Sequence, residues 1–341
     1  MKIFKGYEAY NNLLKGIENR TFRYPAKNET GYYQGMLLPK LTPKFRLKPN
    51  EKIFTIGSCF AREIEARLIQ LGFDVPVGKF KVGQSEIAYA APHLLNEYNA
   101  GTLLQRIESI FGKFVYNDSM GIEERKQGFV DLFLHIHNKP VTLARLLERR
   151  RQIDLVYQEL LDCDTIIITL GLIETWYDSK HCCYLNKAPG KTAVNLEPDR
   201  YYFHRMDVDD VFGRLKDAIC LINAHSMKKI ILTVSPIPIE ATFSNTNAII
   251  ANSFSKAVLR VVAQLLSESF DNVDYFPSYE IAISGGMIYF GEDNVHVTGE
   301  MVEQIVKHML SNYFPTEDSV DAQAVIHEGY IDFEVYERLK I

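Results

Sequence analysis

Short, wholly apolar runs alternate with amphipathic stretches along most of this chain, and that alternation restricts the fold more than any other feature. Ile53-Phe54-Thr55-Ile56, Thr165-Ile166-Ile167-Ile168-Thr169-Leu170 and Ile230-Ile231-Leu232-Thr233-Val234 are rich in β-branched residues and show no polar face. Strands of that kind are buried on both sides, as in parallel sheets covered by helices. Helical patterns separate them. Ala61–Leu71 places Ile64, Leu68 and Leu71 on one face and stops at Gly72. Thr142–Cys163, Val208–Ser226, Ala248–Ser269 and Gly299–Asn312 follow, the last capped by Thr298. Phe73–Val77 reads as a second strand, at an edge because of Pro76, and Val273–Phe276 as a late one. Helix is expected within Glu86–Ile110, and a small hairpin within Gly128–His137. The fold class is α/β, a three-layer α/β/α sandwich around a mostly parallel, flavodoxin-like sheet.

At 341 residues and 47% hydrophobic, the chain can bury the core of one large domain with appendages. Residues 1–50, with Pro25, Pro39, Pro43 and Pro49, read as an irregular arm with a short helix near Tyr7–Ile17. Residues 51–314 form the α/β body, with insertions near 78–140 and 172–206; residues 315–341 are a polar, acidic tail. A net charge of −5 and a pI near 6.0 argue against general nucleic-acid binding. The densest apolar run, Ile166–Ile173, is far short of the ~18 residues that a bilayer span needs. The N-terminus lacks the apolar core of a secretory signal, so the expectation is a cytoplasmic protein with no membrane span. In that setting the glycosylation-like Asn28-Glu29-Thr30 and Asn117-Asp118-Ser119 carry no meaning. Five cysteines fit neither a paired framework nor a C-x-x-C metal pattern. Cys163 and Cys220 read as core thiols, and Cys182-Cys183 as a flexible loop pair. His135 and His137 alternate as a candidate His-x-His metal pair, with no third ligand in view, and no metal site is assigned. Lys256 and Arg260, four apart, read as a solvated helix face.

The chemistry concentrates at two places. Gly57-Ser58-Cys59 forms a sharp turn between the first strand and its helix, where free backbone N–H groups and the positive end of the dipole meet. A thiol or hydroxyl on that turn is exposed, and an anion beside it is stabilised. Asp293-Asn294-Val295-His296 precedes the last helix. Nucleophilic catalysis needs a nucleophile, a base for its proton and a carboxylate to orient the base. Cys59 or Ser58, then His296, then Asp293 supply that set. Both clusters follow strands or lie in terminal loops, so they can meet at the carboxyl edge of the sheet.

This constellation resembles the SGNH-hydrolase superfamily, where a Gly-Asp-Ser turn follows the first strand and an Asp-x-x-His loop precedes the last helix. More closely, the chain resembles the GSCFA family, named after the string at Gly57–Ala61. The likeness runs over roughly residues 40–312 and includes Thr169–Trp176, Leu232–Pro238, Ala251–Arg260 and Tyr275–Glu280. It implies an SGNH-type fold and an acyl-transfer site. Laid on Gly-Asp-Ser, Gly57 matches the glycine, Ser58 the aspartate and Cys59 the serine nucleophile. Attack by Ser58 from a shifted turn, with Cys59 packed inward, stays open beside it; Cys59 is favoured. The family's oxyanion block falls on Gly171-Leu172-Ile173-Glu174, where Ile173 cannot donate as the usual Asn does. Losing one such donor costs about 2.7–4 kcal/mol of transition-state stabilisation. Backbone N–H groups of the turn, or the Asn252 side chain, are the replacements on offer.

Glu174 is a candidate anchor for a substrate hydroxyl, and Trp176 for a pocket wall or sugar platform. His204 is a candidate for substrate contact or for capping the next helix. The expected activity is ester hydrolysis or acyl transfer on an acylated or hydroxylated substrate, a carbohydrate by preference. No cofactor is required, and acyl-CoA is a candidate donor. The competing reading is a catalytically inactive binding or scaffold protein on the same fold. A phosphate-handling flavodoxin-like protein is disfavoured, since no Gly-rich phosphate loop follows the first strand.

Overall fold

The computed structural model describes residues 3–314 other than 30, 34, 49, 88–90 and 135–137. His135, His137 and the tail at 315–341 therefore lie outside the described residues. The arm holds α1 (Gly6–Glu18) and a small ribbon of β1 (Tyr32–Tyr33) and β2 (Met36–Leu37). The body opens with β3 (Ile53–Gly57) and α2 (Cys59–Gln70), then α3 (Ala100–Ile110). A hairpin of β4 (Ile122–Arg125) and β5 (Gly128–Asp131) precedes α4 (Leu143–Gln158) and β6 (Thr165–Leu170). Next come β7 (Glu174–Asp178), β8 (Cys183–Leu185), α5 (Lys191–Leu196) and β9 (Tyr201–Arg205). The body closes with α6 (Val208–His225), β10 (Lys229–Val234), α7 (Ala248–Ser269), β11 (Val273–Phe276), α8 (Ser278–Gly285) and α9 (Gly299–Tyr313).

The central sheet runs β11-β10-β6-β3, all parallel. Its strands alternate faces, so consecutive apolar residues feed two separate cores. Phe54, Ile56, Ile166, Ile168, Ile230 and Leu232 point into one, roofed by residues of α3, α4, α6 and α7. Ile53, Ile167, Ile231 and Phe276 point into the other, with residues of α2, α8 and α9. Thr55, on that second face, is paired: Thr55 Oγ1 donates to Glu65 Oε2 at 2.5 Å, and the Arg62 guanidinium holds the same oxygen at 2.7 Å. The α/β/α layering anticipated from the sequence is the observed architecture.

Several elements differ from the sequence reading. Phe73–Val77 is no strand: Asp74 makes one parallel bridge to Lys52, and Pro76 then starts a 3₁₀ turn at Pro76–Lys79. Counting that bridge as the edge gives a 2-1-3-4-5 order, whose switch point lies between β3 and β6. Cys182-Cys183 is no loop pair, because Cys183 is fully buried on β8 of the antiparallel sheet β8-β7-β9. Cys220 is exposed and Cys163 buried, so only the latter is a core thiol. Lys256, expected on a solvated face, is 1% exposed. Its helix α7 is long and apolar enough to cross a bilayer by length and composition, yet Val258, Leu259, Val262, Ala263 and Leu266 pack into the first core.

Candidate active site

The turn that bears both candidate nucleophiles is fixed by Gly57. Its φ is +135°, and a Cβ there would sit 2.1 Å from the Thr169 carbonyl oxygen of the neighbouring strand. β3 can pass this close to β6 only with glycine at its end. Ser58 follows as the N-cap of α2; it is 2% exposed and its Oγ has no hydrogen-bond partner. Gly171, at the end of β6, lies against it: a Cβ on Gly171 would meet Ser58 Cβ at 2.9 Å. Cys59 is the first residue of α2 and is partly exposed. Burial pushes its thiol up to about 11, while the Lys256 charge and the backbone N–H groups of Phe60 and Cys59 act the other way. Of the two candidate nucleophiles, Cys59 is the one with solvent access.

At the opposite end of the chain, residues 291–297 fold into a tight loop closed by Gly291 N–H to His296 O at 2.7 Å. Asn294 takes φ +55° at its tip, a conformation that Asn tolerates better than most residues. One carboxylate organises the loop. Asp293 Oδ1 accepts from the backbone N–H groups of Val295 and His296 at 2.9 and 3.0 Å, and Oδ2 lies 2.7 Å from His296 Nδ1. The bond to the His296 ring, with those two N–H groups, holds the Asp293 carboxyl well below the usual carboxylate range. With Nδ1 engaged by a carboxylate, Nε2 is the nitrogen left to take or give a proton. Thr298 then caps α9, which packs against α2.

The charge of His296 is felt by two groups on other elements. Burial raises the Glu63 carboxyl, one helical turn beyond Cys59, and the charge of His296 opposes it. The His93 imidazole is pushed down to about 4 by burial first, then by the nearby charges of Arg62 and His296. Glu63 also acts on Cys59, so thiol and imidazole share a neighbour on α2. Lys256, from α7, closes the group from behind: Nζ donates to Gly171 O at 2.9 Å and Ile237 O at 2.8 Å. Burial brings its amine down to about 7, and the Cys59 charge pulls it back up.

Neither His93 nor Lys256 was singled out as a site residue from the sequence. His93 lies in a segment with no motif. Lys256 carried a usable signal, since Leu259 and Ala263 follow it on the same helical stripe and both are core positions.

The remaining candidates are engaged elsewhere. Glu174, at the start of β7, accepts from Thr242 Oγ1, Ser244 Oγ and the Phe243 N–H, clamping the loop before α7. Trp176 stacks edge-on with Phe243 at 5.1 Å, and its indole N–H is buried without a partner. His204 sits on β9, not in a loop; Nδ1 meets Tyr184 OH at 3.2 Å and Nε2 meets Asp210 Oδ2 at 3.0 Å, in the first turn of α6. It lines a cavity of about 710 Å³ with Tyr177, Tyr184, Tyr202 and Arg214. Asn252 Oδ1 accepts from the Ile239 N–H at 3.1 Å. The N–H groups of Leu172 and Ile173 are already spent on Tyr98 O and Ser255 Oγ. Among the described residues no group of three His, Cys, Asp or Glu side chains converges as a metal site.

A parallel sheet with a thiol-bearing turn at its switch point and helices on both faces, an Asp-His loop preceding the last of them, defines an α/β/α sandwich. The chain belongs to the GSCFA family, whose profile matches residues 52–309. Comparison with curated proteins gives no match. Among solved structures, a family 3 carbohydrate esterase from Clostridium thermocellum is similar at 10% identity, covering 76% of this chain and 94% of its own, with a TM-score of 0.34. A family 3 carbohydrate esterase from Talaromyces cellulolyticus is 11% identical, with the same coverages and a TM-score of 0.33. An acetylxylan esterase from Geobacillus stearothermophilus is 13% identical over 80% of this chain and 98% of its own, with a TM-score of 0.31.

Proposed function

We propose that the protein moves acyl groups: an ester hydrolase or acyltransferase that works through a thioester on Cys59. The observation that carries the reading is the His296 ring, held through Nδ1 by Asp293 and acting on Glu63 one turn from the thiol. In the reaction His296 Nε2 takes the proton from Cys59 Sγ as the sulfur attacks the ester carbonyl. The oxyanion forms beside the N–H groups at the start of α2, the donors that remain when those of Leu172 and Ile173 are occupied. Collapse expels the alcohol, which takes the proton back from His296. Water, or a second hydroxyl deprotonated by His296, then attacks the thioester and releases the acyl group.

Because the resting thiol is protonated at neutral pH, ionisation has to be coupled to attack, the role a positioned imidazole fills. A hydroxylated acceptor such as a carbohydrate fits the transfer branch, with acyl-CoA as a candidate thioester donor and no resident cofactor. Ser58 is the weaker nucleophile candidate, being buried with its Oγ unpaired.

The test is turnover of acetyl esters and of acetyl-CoA with a sugar acceptor. Cys59→Ala and His296→Ala should each abolish it, and Asp293→Asn should lower kcat by about 10²-fold or more through loss of imidazole orientation. All three positions are partly or fully exposed, so the melting temperature should hardly move. Full turnover in both alanine variants rejects the proposal. A second reading, a binding protein that has lost catalysis, draws on Ile173 standing where a donor is expected. Failure of both a thiol-directed electrophile and a fluorophosphonate to label residues 57–59 would favour it.

A further inference from the structure

Three tyrosines stand in a row across the antiparallel β8-β7-β9 sheet. Tyr177 on β7 is the register partner of Tyr184 on one side and of Tyr202 on the other, so all three side chains leave the same face. They form one wall of the cavity of about 710 Å³, and residues of α3 and α6 form the other. The wall is held firmly at Tyr184. Gln105 of α3 brackets its backbone N–H and carbonyl, and Arg214 of α6 donates to its hydroxyl. Gly101 lets α3 come this close, since a Cβ there would lie 2.5 Å from the Tyr184 ring.

Gly213, inside α6, has no comparable structural reason. Its φ lies outside the left-handed region, and a Cβ there would meet nothing within 4 Å. A glycine inside a helix costs about 1 kcal/mol against alanine. What it does here is keep the helical wall of the cavity clear. The polar lining is selective too. The side-chain oxygens of Glu108, Asp217 and Tyr202 line the cavity with no hydrogen bond or ion pair among the described residues. Two free carboxylates repel an anion. A cation is opposed as well, because the Arg214 guanidinium already lies over the Tyr184 ring, 5.0 Å from its centroid. That leaves a neutral ligand, with flat apolar faces for the tyrosines and hydroxyls for the free oxygens. A pyranose ring has both, and the volume falls within the ~300–1,000 Å³ of small-ligand sites.

We propose that this cavity binds a neutral oligosaccharide, stacked on the row Tyr184-Tyr177-Tyr202 and hydrogen-bonded by Glu108, Asp217 and Tyr202. It shares no residue with the Cys59 turn or the 293–296 loop, so it stands apart from the acyl-transfer reading.

Calorimetric titration of the full chain with hexasaccharides of β-linked glucose, xylose and mannose tests it, with choline and inorganic phosphate as charged probes. Expected is saturable binding of at least one sugar and of neither charged probe. Tyr202 is 52% exposed, so Tyr202→Ala removes a platform without touching the core and should weaken binding about tenfold. Gly213→Leu fills the cavity from α6 with a better helix former, so binding should vanish while the melting temperature holds or rises. Absence of binding by all three sugars overturns the proposal. So does sugar binding that either variant leaves at the parent strength, or binding of choline or phosphate in place of sugar. Ester turnover is followed in the same variants. Turnover without sugar binding removes this site alone, and sugar binding without turnover removes the acyl-transfer reading alone.

Discussion

Gly57 is pinned by two independent demands, a positive φ and the near-contact with the Thr169 carbonyl. Alanine meets neither. Gly57→Ala is expected to cost about 3 kcal/mol or more, since backbone strain of 1–3 kcal/mol adds to a clash with a sheet that cannot move aside. Urea unfolding measures it, and a loss under about 1 kcal/mol would mean that the turn relaxes. The same scale shows what a sequence can disclose about a site. Gly57, Cys59, Asp293 and His296 stand out in the sequence because their order along the chain, after the first strand and before the last helix, is itself a geometric statement; the structure shows the glycine turn and the Asp293–His296 bond. Lys256 and His93 do not stand out. Whether a lysine is solvated or driven through a core depends on which neighbours cover it, and a period-four pairing with Arg260 pointed toward solvent. Glu174 illustrates the converse, a carboxylate in a motif position whose oxygens are taken by the 242–244 loop.

At the scale of elements, α7 was legible to the residue, because Asn247 caps it and its apolar period is unbroken. α2 ends as its glycine indicates: the Gly72 N–H reaches Ile69 O and the Phe73 N–H reaches Leu68 O, the paired bonds of a Schellman cap. The β7–β9 sheet escaped notice because its strands mix polar and aromatic residues without clean alternation, and α8 because eight residues give too little period. The 3₁₀ turn at Ala91–Leu95 holds His93, half-buried and kept neutral, with a folded-state pKa of about 4. The unfolded value is higher, so between the two the unfolded chain binds more protons and stability falls as pH drops from about 6.5 toward 4. His93→Gln should therefore flatten the melting temperature against pH across that window. An unchanged slope would show that another group drives acid loss.

For the whole molecule, the sheet order places its switch point where β3 and β6 part, and both strand ends carry site residues. The Cys59 turn belongs to the first βα unit and the Asp-His loop precedes the last helix, α9, which packs on α2. Turnover should consequently disappear together with the helical signal in a urea titration. Activity lost well before the far-UV signal would show that the α9 end opens on its own. The α/β/α layers could be read from the apolar runs alone, since strands without a polar face leave few other arrangements. One consequence concerns biosynthesis. Cys59 emerges from the ribosome long before Asp293 and His296 are made, so under the proposed acyl-transfer function a nascent chain would carry the thiol without its base. On that reading, competence would arrive only once the 293–296 loop has been made and α9 has packed on α2.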